Sequence, residues 1–224
     1  LTLTGALAVD GGTVKLDGAF PTGTQNTALG NDALASGSLS GGYNTAIGDT
    51  ALKTNTSGAA NVAVGRDALE LNTTGCQNTA LGQNTMYTNV SGDFNTAVGR
   101  EALYSNTTAD NNTAVGLCAL KANTTAPDNV AVGFEAMLTN TTGCRNVAVG
   151  KRALKLNTEG CDNVAIGLNT LGANTTGDFN TGIGFASLKA NTTADNNSAL
   201  GYCTLSANTT GSFNTGIGLC SIYT

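Results

Sequence analysis

Asparagine recurs in this chain with a fixed beat: Asn26, Asn44, Asn61, Asn78, Asn95, Asn112, Asn129, Asn146, Asn163, Asn180, Asn197 and Asn214. The first interval is 18 residues and every later one is 17. A glycine follows each of these asparagines four residues on, from Gly30 and Gly48 to Gly201 and Gly218. The unit reads N-[TVS]-[AG]-[LIV]-G-x-x-[ATS]-[LMI]-x-x-N-[TV]-[TSE]-[GA]-x-x, in twelve copies, with Gly37-Ser38-Leu39-Ser40 breaking the second half of the first and the chain closing inside the twelfth. Such self-similarity marks a repeat architecture, in which each unit buries its apolar face only by stacking on its neighbours.

A period of 17 is too short for a helical hairpin, which needs about 33 residues. Gly and β-branched Thr or Val in every copy are also poor helix formers. Two short strands, N-T-A-V-G and x-A-L-x-x, with turn chemistry between them fit the unit better. The Asn-Thr-Thr-Gly segment is expected to be the main corner, since Asn and Gly tolerate left-handed backbone angles. The fold class is therefore all-β: a parallel β-solenoid, a β-roll or β-helix, of twelve 17-residue coils over residues 26–224. Equivalent residues then stack in ladders about 4.8 Å apart, giving a rod about 55 Å long. Asn61, Gly65, Leu69, Asn72, Asn78, Gly82, Asn95, Gly99, Leu103 and Asn106 are representative ladder residues.

Residues 1–25 do not carry the repeat. Leu1-Thr2-Leu3-Thr4 and Thr13-Val14-Lys15-Leu16 alternate like strands, with turn signals at Asp10-Gly11-Gly12 and Asp17-Gly18. This stretch is expected to be a β cap on the first coil, or a junction with an upstream segment. The chain opens on Leu1, as a fragment or a processed product would, and closes inside the twelfth copy, so the rod is expected to continue or to have been cut there.

Alternation along a strand sends neighbours to opposite faces. In Asn61-Val62-Ala63-Val64-Gly65 both Ala63 and Val64 are apolar, and Ala68 stands beside Leu69. The expectation is an interior of small residues and an outer stripe of Leu, Val, Ile and Met. A bare stripe of that length is a patch that monomers avoid, so several chains are expected to pack around one axis. The residue after each repeat glycine is polar early (Asn31, Asp49, Arg66, Gln83, Arg100) and largely apolar later (Leu117, Phe134, Leu168, Phe185, Tyr202, Leu219), Lys151 excepted. Phe94, Phe179 and Phe213 share one corner position. This row is expected to become buried towards the C-terminus, by subunit contact or a partner.

Chemistry is scarce. The chain has no His, so a Ser-His-Asp or Cys-His arrangement is excluded, and with it the usual neutral-pH base. Asp93, Asp110, Asp128, Asp162, Asp178 and Asp195 sit at turn positions and read as turn formers and solubilising groups. The G-G-x-G-x-D pattern of calcium-binding β-helices is absent. Gly182-Ile183-Gly184 belongs to the repeat and precedes no helix, so it is not a phosphate loop. No cofactor or metal is expected. A formal charge of −5 with only ten basic residues argues against nucleic acid, and no apolar stretch approaches the roughly 20 residues of a membrane span.

Six cysteines occupy two repeat positions: Cys76, Cys144 and Cys161 precede an Asn by two, and Cys118, Cys203 and Cys220 follow a Gly by two. There is no C-x-x-C pair, which argues against structural zinc. Cys144 and Cys161, like Cys203 and Cys220, are one coil apart. Ladder spacing suits a disulfide, but parallel in-register side chains do not, so free stacked thiols are expected, in keeping with assembly in a reducing compartment. Nine second-half corners match the N-x-[ST] sequon, among them Asn72-Thr73-Thr74 and Asn174-Thr175-Thr176. One repeated Asn–Thr hydrogen-bonding corner explains them all; rows of surface glycans are the alternative.

The core N-[TVS]-A-[VIL]-G-x-x-[AST] resembles the N-[SVT]-A-I-G-x-x-[SA] motif of trimeric autotransporter adhesin heads, which are left-handed parallel β-rolls. The longer form, as in Asn95-Thr96-Ala97-Val98-Gly99-Arg100-Glu101-Ala102-Leu103 with Asn106-Thr107-Thr108, is similar to repeats of phage tail fibres and other appendages, notably of phages of marine cyanobacteria. The opening Leu-Thr-Leu-Thr-Gly stretch is similar to tail-fibre sequence as well. The resemblance spans residues 26–224 and implies a non-enzymatic homotrimeric fibre of a virion appendage. Its implied partners are further copies of itself, other virion or surface-structure proteins, and a host-surface receptor such as a glycan. A bacterial cell-surface adhesin or fibril is the second expectation. A monomeric ice-binding solenoid is the third, set back by the alternation of Val with Thr and the lack of a T-x-T array.

Overall fold

A computed structural model describes residues 25–36 and 38–221. It is a parallel β-solenoid of about eleven turns whose twelve strands run in chain order, from β1 (Thr27–Leu29) and β2 (Thr45–Ile47) to β12 (Thr215–Ile217). Every pairing is parallel and in register, as in Val62↔Thr79 and Ala63↔Ala80. The extra residue of the first copy does not disturb the pairing of Thr27 with Thr45. The cap expected over residues 1–25 lies outside the described residues, Gln25 excepted.

Each coil has one strand of three residues, where two strands were expected. The second apolar pair, Ala68-Leu69 in the third coil, lies in consecutive turns. The cause is backbone handedness at Leu69, whose φ is +51°, as it is close to that value at Leu52, Leu103, Leu120 and Leu154. A left-handed residue breaks the strict alternation of a strand, so Ala68 and Leu69 both point inward and are fully buried. A left-handed residue costs roughly 1–2 kcal/mol, and burying a leucine returns roughly 1.5–3 kcal/mol. The interior is therefore not lined by small residues alone. It is a column of Leu or Met, from Leu34 to Leu205, packed against columns of Ala.

The corner chemistry also differs from the expectation. Asn72, Thr73, Thr74 and Gly75 all keep negative φ, while Asp67 and Gln77 join Leu69 in the left-handed region. The repeat glycine has a separate reason. At φ +129° on Gly99, a Cβ would stand 2.6 Å from the carbonyl oxygen of Gly116 in the next coil.

Backbone hydrogen bonds join the coils well beyond the strands. Leu69 N donates to Thr85 O at 3.0 Å in the coil that follows, and Asp67 N to Asp49 O at 3.0 Å in the coil before. Two asparagine ladders run inside this wall. Asn61 donates from its backbone N–H to Asn44 Oδ1 at 2.9 Å and from Nδ2 to Gly75 O at 2.8 Å. Asn72 Nδ2 donates to Asn55 Oδ1 at 2.8 Å and to Gly75 O at 3.0 Å. These amides are wholly buried, and an unpaired amide there would cost about 1–3 kcal/mol. The ladders thus fix the register of 17: a slip would set each amide against an apolar neighbour.

Candidate self-association face

The strand that each coil contributes has an inner and an outer side. Ala97 of β5 (Thr96–Val98) is fully buried, and Thr96 and Val98 face outward. Repeated along the rod, this gives an outer column of Thr, Val or Ser and beside it a column that is always aliphatic, from Leu29 and Ile47 to Leu200 and Ile217. Ile47, Leu81, Val149 and Ile183 each remain 36% exposed although both coil neighbours cover their flanks. In the second half a third column joins it, with Leu117, Phe134, Leu168, Phe185, Tyr202 and Leu219 all exposed. Phe94, Phe179 and Phe213 border the same sheet face and are more than half exposed.

Within one chain, then, the apolar row is bare, from Leu117 at 40% exposed to Tyr202 at 51%. Its aromatics find only partial cover from one another and from cations. Phe185 and Tyr202 stack with centroids 4.8 Å apart, and Lys151 Nζ lies 5.6 Å from the Phe134 ring. An apolar strip about 50 Å long by strand spacing, widening to about 10 Å where the columns join, approaches the largest patches that monomers leave exposed.

The residues singled out from the sequence fall into separate places, and the structure brings no set of them together as a reactive centre. Asn61, Asn78 and Asn95 form one buried ladder, Asn72 and Asn106 the other. Leu69 and Leu103 belong to the core rather than to an outer stripe, and Gly65, Gly82 and Gly99 line the corner where coil backbones approach. The asparagines of the second-half corner sequons from Asn55 to Asn191 are wholly buried, which excludes glycans at those corners of the folded coils, whereas Asn111 and Asn196, which also head N-x-[ST] triplets, are exposed. The Asn–Thr ladder is in fact two: the amides pair with each other, and the adjacent threonine hydroxyls donate to the next coil, as Thr107 Oγ1 does to Thr124 O at 3.1 Å.

The turn aspartates have more specific work than turn formation. Asp93 Oδ1 accepts the Cys76 N–H at 2.6 Å, Asp110 Oδ1 that of Asp93 at 2.7 Å, and Asp178 Oδ1 that of Cys161 at 2.6 Å. At this position each side chain captures the backbone N–H of the preceding coil. Cysteine does the same: Cys161 Sγ accepts the Cys144 N–H at 3.0 Å. The sequence signal was a single column restricted largely to Asp, Cys, Ser and small residues. Asp162 instead pairs with Arg145 through two hydrogen bonds of 2.8 Å, and that guanidinium holds its carboxyl below the ordinary range.

The six cysteines are unpaired in this structure. Cys144 Sγ and Cys161 Sγ lie 2.9 Å apart, and burial together with the neighbouring sulfur raises Cys144 to about 11. Elsewhere charged pairs run from coil to coil. Lys121 Nζ meets Glu101 at 2.7 Å and Arg152 meets Glu135 at 2.8 Å, and each carboxyl is lowered by the hydrogen bond from its cation. Glu70 moves the other way, raised by desolvation and then by the charge of Asp67. Among the described residues no three His, Cys, Asp or Glu side chains gather as a metal would require, and no helix is long and apolar enough to cross a membrane. No family model matches the chain, and no curated protein or solved structure matches it either.

Proposed function

We propose that this chain is a rigid rod segment of a fibrous homotrimeric appendage, a phage tail fibre or a similar virion structure, which supports attachment to a host surface. The observation that carries the reading is the outer sheet face, whose aliphatic column runs the length of the rod with no cover from its own chain. Covering it with two further copies would bury all three strips along a shared axis, with the register set by the 17-residue beat common to every copy.

The mechanism of such a segment is mechanical. Every interior coil is hydrogen-bonded to two neighbours by backbone, asparagine and threonine ladders, so bending or unwinding breaks many bonds together. A long, stiff spacer of this kind sets reach and leaves receptor recognition to other parts of the appendage. A bacterial surface fibril would use the same rod in the same way.

Sedimentation equilibrium of the purified chain tests the assembly. Three times the chain mass, independent of dilution over the micromolar range, supports the reading. A mass equal to one chain overturns it and leaves a monomeric solenoid, for which a flat Thr-bearing face points to ice binding. The gene neighbourhood separates the two appendages: virion structural genes support the tail fibre, and an outer-membrane β-barrel anchor would replace it with the adhesin.

A further inference from the structure

We propose that Cys144 and Cys161 are a modification site, a dithiol that closes to a disulfide stapling the seventh coil to the eighth when the chain meets a low-molecular-weight disulfide such as glutathione disulfide. The inference is independent of the proposed assembly and rests on geometry within one chain.

The two sulfurs are already 2.9 Å apart, less than 1 Å from the bond length of about 2.05 Å. In-register stacking places their Cα atoms about 4.8 Å apart, inside the span that disulfides use. Both side chains are partly exposed at a corner, where a small oxidant reaches them.

The neighbouring coils explain why this pair differs from other cysteines in the same column. A sulfur or carboxylate at this position normally accepts the backbone N–H of the coil before it, as Cys76 Sγ accepts from Ala59 N at 3.4 Å. One coil before Cys144 stands Pro127, which has no N–H to give. Cys144 Sγ is therefore left with a single hydrogen-bonding contact, the sulfur of Cys161. Cys203 and Cys220 are also one coil apart, yet they occupy a different corner position, and Cys220 N bonds to Tyr202 O rather than to sulfur.

The chemistry balances as two exchanges. One protein thiolate attacks a sulfur of glutathione disulfide, forms a mixed disulfide and releases one glutathione thiolate. The second protein thiolate attacks the protein sulfur of that mixed disulfide and releases the other glutathione. The pair loses two protons and two electrons, and the oxidant is reduced to two glutathione molecules. Because the Cys144 thiol is raised to about 11, the rate should climb with pH through the alkaline range, as the thiolate is the attacking form.

The test is peptide mapping of the full chain after incubation with glutathione disulfide at mildly alkaline pH, followed by alkylation in denaturant without reductant. Trypsin cuts after Arg145 and Lys155, which places Cys144 in peptide 122–145 and Cys161 in peptide 156–189. The expected result is these two peptides joined and lighter by two hydrogens, with loss of two of the six free thiols. Cys203 and Cys220 stay alkylated under the same conditions. Cys144→Ser leaves Cys161 carrying glutathione or free, with no joined peptide. The proposal is overturned by six thiols still free, by glutathione retained on both cysteines without a link, or by links between chains or to other cysteines.

Discussion

The side-chain amide of Asn72 donates to Asn55 Oδ1 at 2.8 Å across one full coil, and both residues are wholly buried. The contact repeats from Asn89 to Asn191, so a polar ladder runs through the interior of the rod beside its column of Leu and Met. The same asparagines look like glycosylation acceptors in the sequence, and burial is what turns them into register markers.

Removing one rung has a definite cost. Asn106 Nδ2 donates to Asn89 Oδ1 and to Ala109 O, and its own oxygen accepts from Asn123. Asn106→Ala should destabilise the chain by about 3 kcal/mol, because it strands buried partners above and below. Thr108→Ala destroys the same sequon at an exposed position and should stay within about 0.5 kcal/mol. Urea denaturation followed by circular dichroism distinguishes the two, and equal effects would mean that the ladder does not bear on stability.

The leucine column makes a second case. Leu103 is buried with φ +50°, and the column holds Leu or Met in every described coil, including Met86 and Met137. β-Branched side chains are the least tolerant of that backbone region. Leu103→Met should cost less than about 1.5 kcal/mol, while Leu103→Ile, with the same number of carbons, should cost about 2 kcal/mol or more from the added left-handed strain. Matching losses in a denaturant titration would show that volume alone matters there.

That column also shows what the sequence did and did not reveal. The beat of Asn26, Asn44 and Asn61 fixes coil length, strand order and register, because each follows from stacking identical units. Alternation placed Ala63 inside and Val64 outside correctly. It failed at Leu69, since a left-handed residue between turns has no signature in an apolar pattern. The available clue was chemical: Val and Ile are common beside Ala in the strand and absent beside Ala68 and its equivalents in the described coils. The hydrogen bonds to Asp93 and Asp178 were hidden for a similar reason, as they join residues 17 apart through a side chain.

Titration should follow the charged rows. Glu101 is lowered by its hydrogen bond from Lys121, so its contribution is present above the unfolded carboxylate value and is lost as pH falls through the lower folded value. Glu70 is raised by desolvation, so its contribution is present below the unfolded value and is lost as pH rises through the folded one. At neutral pH Glu101→Gln should therefore lower the melting temperature, and Glu70→Gln should raise it. Near pH 3.5 both differences should shrink. Melting curves from pH 3 to pH 7 decide it, and shifts of the same sign in both variants would contradict these assignments.

The outer face gives the last prediction, and it links assembly to a single column. Val132 points outward from its strand with both coil neighbours, Val115 and Val149, also aliphatic, and its side chain contributes nothing to the interior of its own coil. Val132→Glu should therefore leave the solenoid folded, with an unchanged circular dichroism spectrum. In an assembled rod the same carboxylate would be buried without a partner, at a cost of more than about 2 kcal/mol per chain. Thr142→Glu places an identical charge at an exposed corner, in a column that already holds Glu159, and should not change the mass. Sedimentation velocity on both variants, beside the unmodified chain, reads the difference. Loss of the assembled species in Val132→Glu alone would tie association to the sheet face, whereas equal loss in both would attribute it to net charge.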